Sequence, residues 1–413
     1  MKRIVVIGGG AAGLMAAYRA ALSDSTVFLI ERNERMARKV MITGKGRCNV
    51  TNNSDVDTLM ANIPRNARFL YSAFSEFNSA DTIRFFEENG VPLKTERGQR
   101  VFPQSDKAVD IVDALVNAAK RAGVKFLKGR AVEVIANDNA VHAAKLENNE
   151  EIEADAVIIA TGGMSYSLTG STGDGYKMAE MLGHTVTELK PSLVPLVAHE
   201  GFCSKLSGLS LKNVTLSLFE TGKKKPIFSE MGEMLFTHFG ISGPLALSAS
   251  AHIKNLEKKQ YFVKIDLKPA LSVEQLDKRI LRDFEENANK DFLNSLDALL
   301  PKSLIPVVVS LSKIPPHQKI NQLSREERFR LVEIIKGLTV NIVDYRPIEE
   351  AIITSGGVNV REVNPSTMES KLVSGLYFAG EVLDVDAYTG GFNLQIAFST
   401  GFLAGMKAGG EDL

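Results

Sequence analysis

Residues 8–13 near the N-terminus read GGGAAG and match the pattern GxGxxG. In this pattern the first glycine allows a tight turn, the second lets a pyrophosphate approach the backbone, and the third lets a helix pack on a strand. Glu31 follows 18 residues after Gly13, where a carboxylate accepts hydrogen bonds from ribose hydroxyls and repels a 2′-phosphate. The spacing therefore predicts a dinucleotide bound through Gly8, Gly10, Gly13 and Glu31.

A second stretch, residues 38–52, reads RKVMITGKGRCNVTN and is rich in glycines, cations and amides. Its alternating glycines, Gly44 and Gly46, would expose backbone N–H groups to an anion. The side chains predicted to neutralise a diphosphate are Arg38, Lys39, Lys45 and Arg47. The alternative for these cations is a solvated basic loop.

Two later segments distinguish a flavin from a nicotinamide. An apolar run ends at Ala160-Thr161-Gly162, which predicts a turn at the carboxyl end of a parallel strand. Near the C-terminus, a second strand ends at Gly380-Glu381, and residues 388–395, YTGGFNLQ, lead into a helix. The acid would hold ribityl hydroxyls, and the helix N-terminus would stabilise the negative charge of a reduced flavin. A nicotinamide needs no such dipole, so the sequence favours FAD; a capped helix that only packs is the alternative.

Three further side chains are candidates for direct chemistry. His238 could exchange a proton near neutral pH, although a structural histidine is the commoner case. Tyr388 precedes the glycine pair of the tail, and Cys48 could touch the isoalloxazine. Cys48 has no neighbouring cysteine and cannot form a dithiol couple, so we interpret it as a packing or contact residue. No metal site is predicted.

The elements that would position these residues follow an α/β pattern. Buried strands are predicted at 4–7, 27–30, 124–127 and 156–160, with helices at 11–22 and 109–122. Short alternating runs at 131–135, 141–146 and 151–153 predict a small antiparallel meander.

The pattern changes near Pro191, where a long insertion begins. Residues 191–270 carry β-rich runs, and residues 271–345 look helical, with capping boxes at Ser272 and Ser324. Buried-strand character returns afterwards and ends in a helix at 394–408. We therefore predict a discontinuous α/β domain, 1–190 and 346–413, interrupted by a β-rich domain, 191–270, and a helical domain, 271–345.

Composition limits the partners and the setting. Forty-nine Lys and Arg balance 49 Asp and Glu, so no net positive field would gather nucleic acid or an anionic membrane. The two cysteines are too few for a disulfide framework and too widely spaced for a CxxC pair or a zinc site, and the N-terminal apolar run lacks the features of a signal peptide. We expect a cytoplasmic protein with a small-molecule substrate; the sequence gives no oligomeric state.

The chain resembles the BaiN-like (YhiN-like) family of bacterial NAD(P)/FAD-dependent oxidoreductases. The matching stretches run from end to end: IGGGAAGLMAA (7–17), ITGKGRCNVTN (42–52), RFLYSAFSEFN (68–78), GSTGDGY (170–176), LFTHFGISGP (235–244) and GEVLDVDAYTGGFNLQ (380–395). This resemblance implies a glutathione-reductase-like, Rossmann-type FAD-binding domain with an inserted β-barrel-like part and a helical part. It also implies FAD contacts at Gly8, Gly10, Ala12, Gly13, Glu31, Arg38, Lys39, Gly46, Arg47, Cys48, Val132, Thr161, Gly162, Gly380, Glu381, Asn393 and Leu394. Neighbouring residues of the same motifs complete the predicted site: Ala11, Arg32, Gly44, Ala160, Gly391 and Phe392.

The expected activity is hydride transfer through flavin N5 to or from a small organic substrate held between the FAD domain and the insert. Activities proposed in the family include oxidation of small amines such as aminoacetone and reduction of steroid-type double bonds. A second GxGxxG is absent from the sequence, which favours an oxidase or a substrate-coupled dehydrogenase over a disulfide-type reductase. A small-amine (aminoacetone-type) oxidase is one such enzyme. The alternatives are an NAD(P)H-dependent reductase of a C=C or other acceptor, with NAD(P)H as a transient donor, and a flavin-binding protein without turnover. The neutral charge balance argues against a flavoenzyme that acts on RNA, and the C-terminal segment argues against an NAD-only dehydrogenase.

Overall fold

The computed structural model describes residues 1–411 and divides the chain into two compact units. The first unit comprises Met1–Ser192 and Ile348–Leu413, and the second comprises Leu193–Pro347. The predicted domain 346–413 therefore extends two residues beyond the described part of the chain. Each unit has its own cluster of buried hydrophobic residues.

The first segment of the first unit holds eleven strands and seven helices among the described residues. The strands are β1 (Lys2–Ile7), β2 (Ser25–Glu31), β3 (Thr51–Asn52), β4 (Leu93–Glu96), β5 (Arg100–Pro103), β6 (Lys125–Lys128), β7 (Ala131–Asn137), β8 (Ala140–Leu146), β9 (Glu151–Glu153), β10 (Ala156–Ile159) and β11 (Lys190–Ser192). The helices are α1 (Ala11–Ala21), α2 (Arg38–Ile42), α3 (Val56–Ala61), α4 (Tyr71–Glu76), α5 (Ser79–Glu88), α6 (Ala108–Arg121) and α7 (Asp174–Met181).

The second unit consists of a barrel and helices. Its strands are β12 (Leu196–Ala198), β13 (Ser210–Glu220), β14 (Phe228–Thr237), β15 (Gly240–Ser242), β16 (Tyr261–Asp266) and β17 (Leu338–Tyr345). Its helices are α8 (Phe202–Lys205), α9 (Pro244–Ser250), α10 (Val273–Glu285), α11 (Ile305–Ser312) and α12 (Arg325–Lys336). The chain then returns to the first unit with β18 (Ile353–Ser355), β19 (Leu376–Phe378) and α13 (Phe392–Ala408).

A five-stranded sheet of order β19-β10-β1-β2-β6 forms the centre of the first unit. All of its neighbouring strands pair in parallel. Ile4, Val5 and Val6 of β1 are completely buried, as expected for a strand covered on both faces. Because parallel strands share one carboxyl edge, the turns after β1, β2, β10 and β19 lie together there.

The predicted fold class is confirmed. The predicted meander is the antiparallel sheet β7-β8-β9, and the β-rich insert is a closed antiparallel barrel of order β12-β15-β14-β13-β16-β17. Ser272 and Ser324 each cap a helix through a complete capping box, in which the third residue of the helix bonds back to the cap.

The structure differs from the predicted three-part division within the insert. Strand β17 lies in the range predicted to be helical, 271–345, and it pairs with both β12 and β16 to close the barrel. The helices between β16 and β17 share one core with the barrel. The β-rich and helical parts are therefore one compact unit, because β17, which follows the helices, closes the barrel of the β-rich part.

Helices α1 and α13 pack against each other unusually closely. A Cβ atom built on Gly401 would lie 2.4 Å from the carbonyl oxygen of Ala12, and one on Gly405 would lie 2.3 Å from that of Ala16. Both approaches are shorter than a carbon and an oxygen can reach without displacement, so only glycine fits. This packing ties the final helix to the helix that follows the glycine-rich turn.

Candidate cofactor site

A cavity opens at the carboxyl edge of the parallel sheet, within the first unit. Fourteen of the residues predicted from sequence line it: Gly8, Gly10, Ala11, Ala12, Glu31, Arg32, Arg38, Lys39, Ala160, Thr161, Gly162, Glu381, Asn393 and Leu394. The turns of four parallel strands and the start of α13 thus meet at one place.

The glycine-rich turn has the geometry that its spacing predicts. Gly8 has φ +107, and a Cβ there would lie 2.5 Å from the carbonyl oxygen of Ala160. A Cβ on Gly13 would lie 1.8 Å from the carbonyl oxygen of Gly8, so Gly13 acts through packing and does not line the cavity. A Cβ on Gly10 meets nothing within 4 Å, and this residue borders the cavity. The backbone at Gly10 is therefore open to a bound group.

Glu31 closes β2 beside this turn and is largely buried. One carboxylate oxygen accepts from the backbone N–H of Gly9 at 2.7 Å. The other accepts from the backbone N–H and the side-chain amide of Asn33, at 2.8 and 2.7 Å. These bonds fix the carboxylate at the cavity wall, and Asn33, which also lines the cavity, was missed by the sequence reasoning.

Arg130 and Asp174, two further lining residues that the sequence reasoning missed, form a bidentate ion pair at 2.8 and 2.9 Å. Arg32 donates to Thr172 at 2.8 Å and lies 3.4 Å from Asp174. Hydrogen bonding to Arg130 lowers the pKa of Asp174, so the pair stays charged at neutral pH. Asp174 belongs to the matched stretch GSTGDGY, which was the signal available in the sequence.

Lys39 and Glu381 meet in the cavity wall. The Lys39 ammonium lies 2.6 Å from one Glu381 oxygen and 2.7 Å from the hydroxyl of Ser165. The other Glu381 oxygen accepts from the Ser165 hydroxyl and from the backbone N–H of Thr354, both at 2.9 Å. The predicted site residues Glu381 and Lys39 therefore form an ion pair. Ser165 and Thr354, which the sequence motifs did not indicate, hold this pair in place.

Helix α13 begins at the cavity, with Gly391 at φ +98 as its N-cap. A Cβ on Gly391 would lie 2.3 Å from the backbone of Thr51, which excludes side chains there. Asn393 bonds to both backbone groups of Ala387, at 2.8 and 2.9 Å, and fixes the preceding loop. The first-turn N–H groups of a helix of this length carry positive partial charge at the cavity.

Gln395 serves the packing of this helix. It is completely buried, accepts from Thr51 and Thr82 at 2.6 and 2.8 Å, and donates to Ser399 at 2.9 Å. Within the predicted YTGGFNLQ segment, Asn393 and Leu394 border the cavity. Gly391 and Phe392 do not line it.

The prediction for Arg47 needs correction. Arg47 lies 2.5 Å from Glu96 and 2.6 Å from Asp106, stacks on the ring of Phe102 and does not line the cavity. Hydrogen bonding to Glu96 and Asp106 raises the pKa of Arg47, and the bond from Arg47 lowers the pKa of Glu96. Hydrogen bonds from Lys94 and then Arg47 lower the pKa of Asp106. Its charge is balanced by two protein carboxylates, because Glu96 ends β4 and Asp106 follows β5. The sequence pattern did not reveal this hairpin.

Five other predicted contacts lie outside the cavity lining. Gly44 and Gly46 flank Lys45 in a left-handed turn, and only Thr43 of that turn borders the cavity. Val132 is partly exposed, and its neighbours Gly129, Arg130 and Ala131 line the cavity instead. Gly380 packs behind the wall, where a Cβ would lie 2.8 Å from that of Ala12. Cys48 is completely buried, at φ +58.

The two proposed acid–base candidates also lie outside the lining. His238 belongs to the second unit and contacts Phe239 edge to face at 5.0 Å. Tyr388 donates its backbone N–H to Asn62 at 3.1 Å. Residues 1–411 contain no group of three or more His, Cys, Asp or Glu side chains that could hold a metal ion.

Burial makes both thiols unreactive, which gives a first prediction. It raises the pKa of Cys48 and that of Cys203 to about 12. At about pH 8, an ordinary cysteine is partly thiolate, whereas these two stay protonated. We expect neither to react with a thiol reagent in the native protein and both to react after unfolding. Rapid labelling of Cys48 in the folded protein would show that the cavity reaches its sulfur.

The residues present fit a flavin dinucleotide. The open backbone at Gly10 and the start of α1 suit a diphosphate, and Glu31 suits a ribose. Thr161, in the lining, has a buried hydroxyl without a hydrogen-bond partner, and such a group is costly unless a ligand satisfies it. The start of α13 suits the pyrimidine edge of an isoalloxazine.

Comparisons with known proteins agree with this geometry. The HI0933-like protein Rossmann domain matches residues 2–407. A Clostridium scindens protein named 3-dehydro-bile acid delta(4,6)-reductase is 33% identical over 413 residues, covering 99% of each chain. A Haemophilus influenzae protein named ribosomal RNA dihydrouridine synthase is 32% identical, covering 98% of this chain and 97% of the relative; its Escherichia coli namesake is 31% identical, covering 96% and 95%.

Solved structures share the fold at low identity. A 3-ketosteroid-delta4-(5alpha)-dehydrogenase from Rhodococcus jostii has a TM-score of 0.52 and 15% identity, covering 99% of this chain and 97% of that one. A 3-ketosteroid delta1-dehydrogenase from Sterolibacterium denitrificans has a TM-score of 0.54 and 12% identity, covering 99% and 100%. In the described part of this chain, each helix is too short or too polar to cross a bilayer.

Proposed function

This chain belongs to the HI0933-like Rossmann-domain family of FAD-dependent oxidoreductases, and on that premise we propose that it reduces a carbon–carbon double bond conjugated to a carbonyl group. The observation that carries the proposal is the agreement among the relatives. Three proteins that match at least 96% of the chain have names describing two substrates, a 3-dehydro-bile acid and a uridine in RNA. In both compounds the reduced double bond is conjugated to a carbonyl.

The residues of the cavity support the binding of FAD for this reaction. The turn at Gly8–Ala12 would hold the diphosphate, Glu31 the ribose, and Glu381 with Lys39 the ribityl region. The first turn of α13, at Asn393 and Leu394, would orient the flavin and stabilise negative charge on it. When bound and reduced by two electrons, the flavin would supply a hydride to the alkene carbon beta to the carbonyl, and a proton would complete the saturated product.

The flavin must then regain two electrons, for which we propose NAD(P)H as a transient donor. The sequence carries one GxGxxG match, so we infer that the nicotinamide visits the flavin without a Rossmann domain of its own. The small-amine oxidase that the sequence favoured receives no support from the relatives' names. We therefore keep it only as an alternative outcome of the test.

Stepwise spectroscopy of the holoenzyme tests the proposal. We expect NADH or NADPH to bleach the flavin absorbance without oxygen, and a steroid enone or a uracil compound to restore it with formation of the saturated product. A saturated ketone of the same skeleton is the matched control and leaves the flavin reduced. Bleaching by small primary amines, with no reoxidation by any enone, would establish the oxidase instead.

A ribosomal RNA substrate is the second candidate, and charge distribution favours it. The neutral total conceals an asymmetry: residues 193–347 carry 22 Lys and Arg against 17 Asp and Glu, and the rest carries 27 against 32. The second unit thus has a net charge of five positive, which supports this candidate although the chain as a whole is neutral. In the same assay, reoxidation by ribosomal RNA but not by free uridine, weakening steeply with salt, would establish this candidate.

A further inference from the structure

Thr354 is a buried residue that holds two walls of the cofactor cavity together. It lies in β18, which pairs with β11 so that Thr354 opposes Pro191. Its side chain is completely buried, and its hydroxyl oxygen accepts from the backbone N–H groups of Met164 and Ser165, at 2.8 and 3.0 Å. Its own backbone N–H donates to Glu381 at 2.9 Å. One residue thus bonds both to the turn after β10 and to the acid after β19.

These bonds also reach Lys39 through Ser165. The Ser165 hydroxyl lies 2.7 Å from the Lys39 ammonium and 2.9 Å from Glu381, and Ser165 is completely buried. Gly163, in the same turn, packs so tightly that a Cβ there would lie 2.5 Å from the Thr354 hydroxyl and 2.7 Å from Glu381. The turn therefore packs closely against Thr354 and Glu381 and is bonded to the Thr354 oxygen.

We propose that Thr354 is a positioning residue for the flavin: it fixes the turn at Gly162–Ser165 and, through it, the geometry in which Glu381 and Lys39 meet FAD. Loss of its hydroxyl leaves two buried N–H groups without an acceptor, so the turn must move to reach other partners. Ser165 moves with it, and Lys39 and Glu381, which contact each other directly, lose the hydroxyl to which both are bonded. This inference rests on FAD binding alone and is independent of the substrate proposed above.

The dissociation constant of FAD from the apoprotein tests this role without turnover. We expect Thr354→Val to weaken FAD binding about tenfold or more, and Thr354→Ser, which keeps the hydroxyl, to stay within about threefold of the wild type. Ser165→Ala removes the hydroxyl that bonds to both Lys39 and Glu381 and is expected to weaken FAD binding similarly. That variant leaves both N–H groups bonded to Thr354, so it serves if Thr354→Val does not fold.

Ser370→Ala is the matched control. The Ser370 hydroxyl is also buried and also accepts two backbone N–H groups, from Leu372 and Val373, at 3.0 and 2.9 Å. It further lies 2.8 Å from Nε2 of the buried His184, and it does not line the cavity. We expect it to lower the melting temperature about as much as Thr354→Val while FAD binding stays within about threefold. Equal loss of FAD affinity in the control would show that Thr354 acts only through stability and would overturn the proposal.

A double-mutant cycle separates positioning from an independent contact. Glu381→Gln alone should weaken FAD, and adding Thr354→Val to it should weaken FAD less than about threefold further, because Thr354 acts through Glu381 and Lys39. Fully additive effects, or wild-type affinity in Thr354→Val, would overturn the assignment.

Discussion

Gly10→Val is expected to yield a protein that folds normally and purifies without FAD. A Cβ at this position meets no protein atom within 4 Å, and the backbone, at φ −80 and ψ −169, is extended and suits valine. The residue borders the cavity, so the added methyl groups occupy space needed by the diphosphate. We expect the FAD affinity to fall by roughly a hundredfold or more, since the diphosphate loses its close approach to the backbone.

Gly13→Ala provides the contrast for this variant. Its Cβ would lie 1.8 Å from the backbone oxygen of Gly8, so the helix and the turn must separate and stability must fall. Equilibrium dialysis of FAD and thermal unfolding of the apoprotein measure the two effects separately. A Gly10→Val protein that retains FAD at wild-type affinity would place the diphosphate elsewhere in the first unit.

The second large effect is expected at the contact between α1 and α13. Gly405→Ala should destabilise the protein by roughly 1–3 kcal/mol, since the new methyl group meets the Ala16 carbonyl at 2.3 Å and two helix backbones must move apart. Intrinsic helix propensity acts in the opposite direction, favouring alanine by about 1 kcal/mol. A net loss of stability therefore measures the packing, and urea unfolding monitored by circular dichroism would detect it.

Gly201→Ala is the control for the Gly405 variant. Gly201 has φ −62 and a Cβ there meets nothing within 4 Å, so alanine should leave stability unchanged or slightly higher. Gly401→Ala should resemble Gly405→Ala in stability and also weaken FAD, because its methyl group meets the carbonyl of Ala12, which lines the cavity. A stabilised Gly405→Ala protein would show that the helices separate at no cost.

Local spacing was enough to predict the glycine-rich turn, Glu31 and the two capped helices. In each case the physical requirement lies within a few residues: a tight turn, an acid at the end of the next strand, or a hydroxyl facing a helix start. The start of α13 was predicted for the same reason. The confirmed parallel sheet followed from apolar runs that are buried on both faces.

Long-range pairing was beyond the sequence reasoning. Arg47 has the charge of a phosphate ligand, but Glu96 and Asp106 approach it only because β4 and β5 form a hairpin. Arg130 and Asp174 are 44 residues apart and become one ion pair only in the fold. The role of Thr354 likewise depends on a strand that returns after the whole second unit. Residues that meet only through such long-range pairing leave no periodic pattern in the local sequence.

The short antiparallel pair β11-β18 has a consequence for the history of the fold. The last residues before the second unit and the first strand after it are paired side by side, with Lys190 opposite Ser355 and Ser192 opposite Ile353. A chain that leaves and re-enters at neighbouring points can gain, lose or exchange the intervening sequence without rethreading the sheet. The 155 residues from Leu193 to Pro347 are in this sense a separable insertion, whose length and sequence can change while the strand pairing of the first unit stays the same.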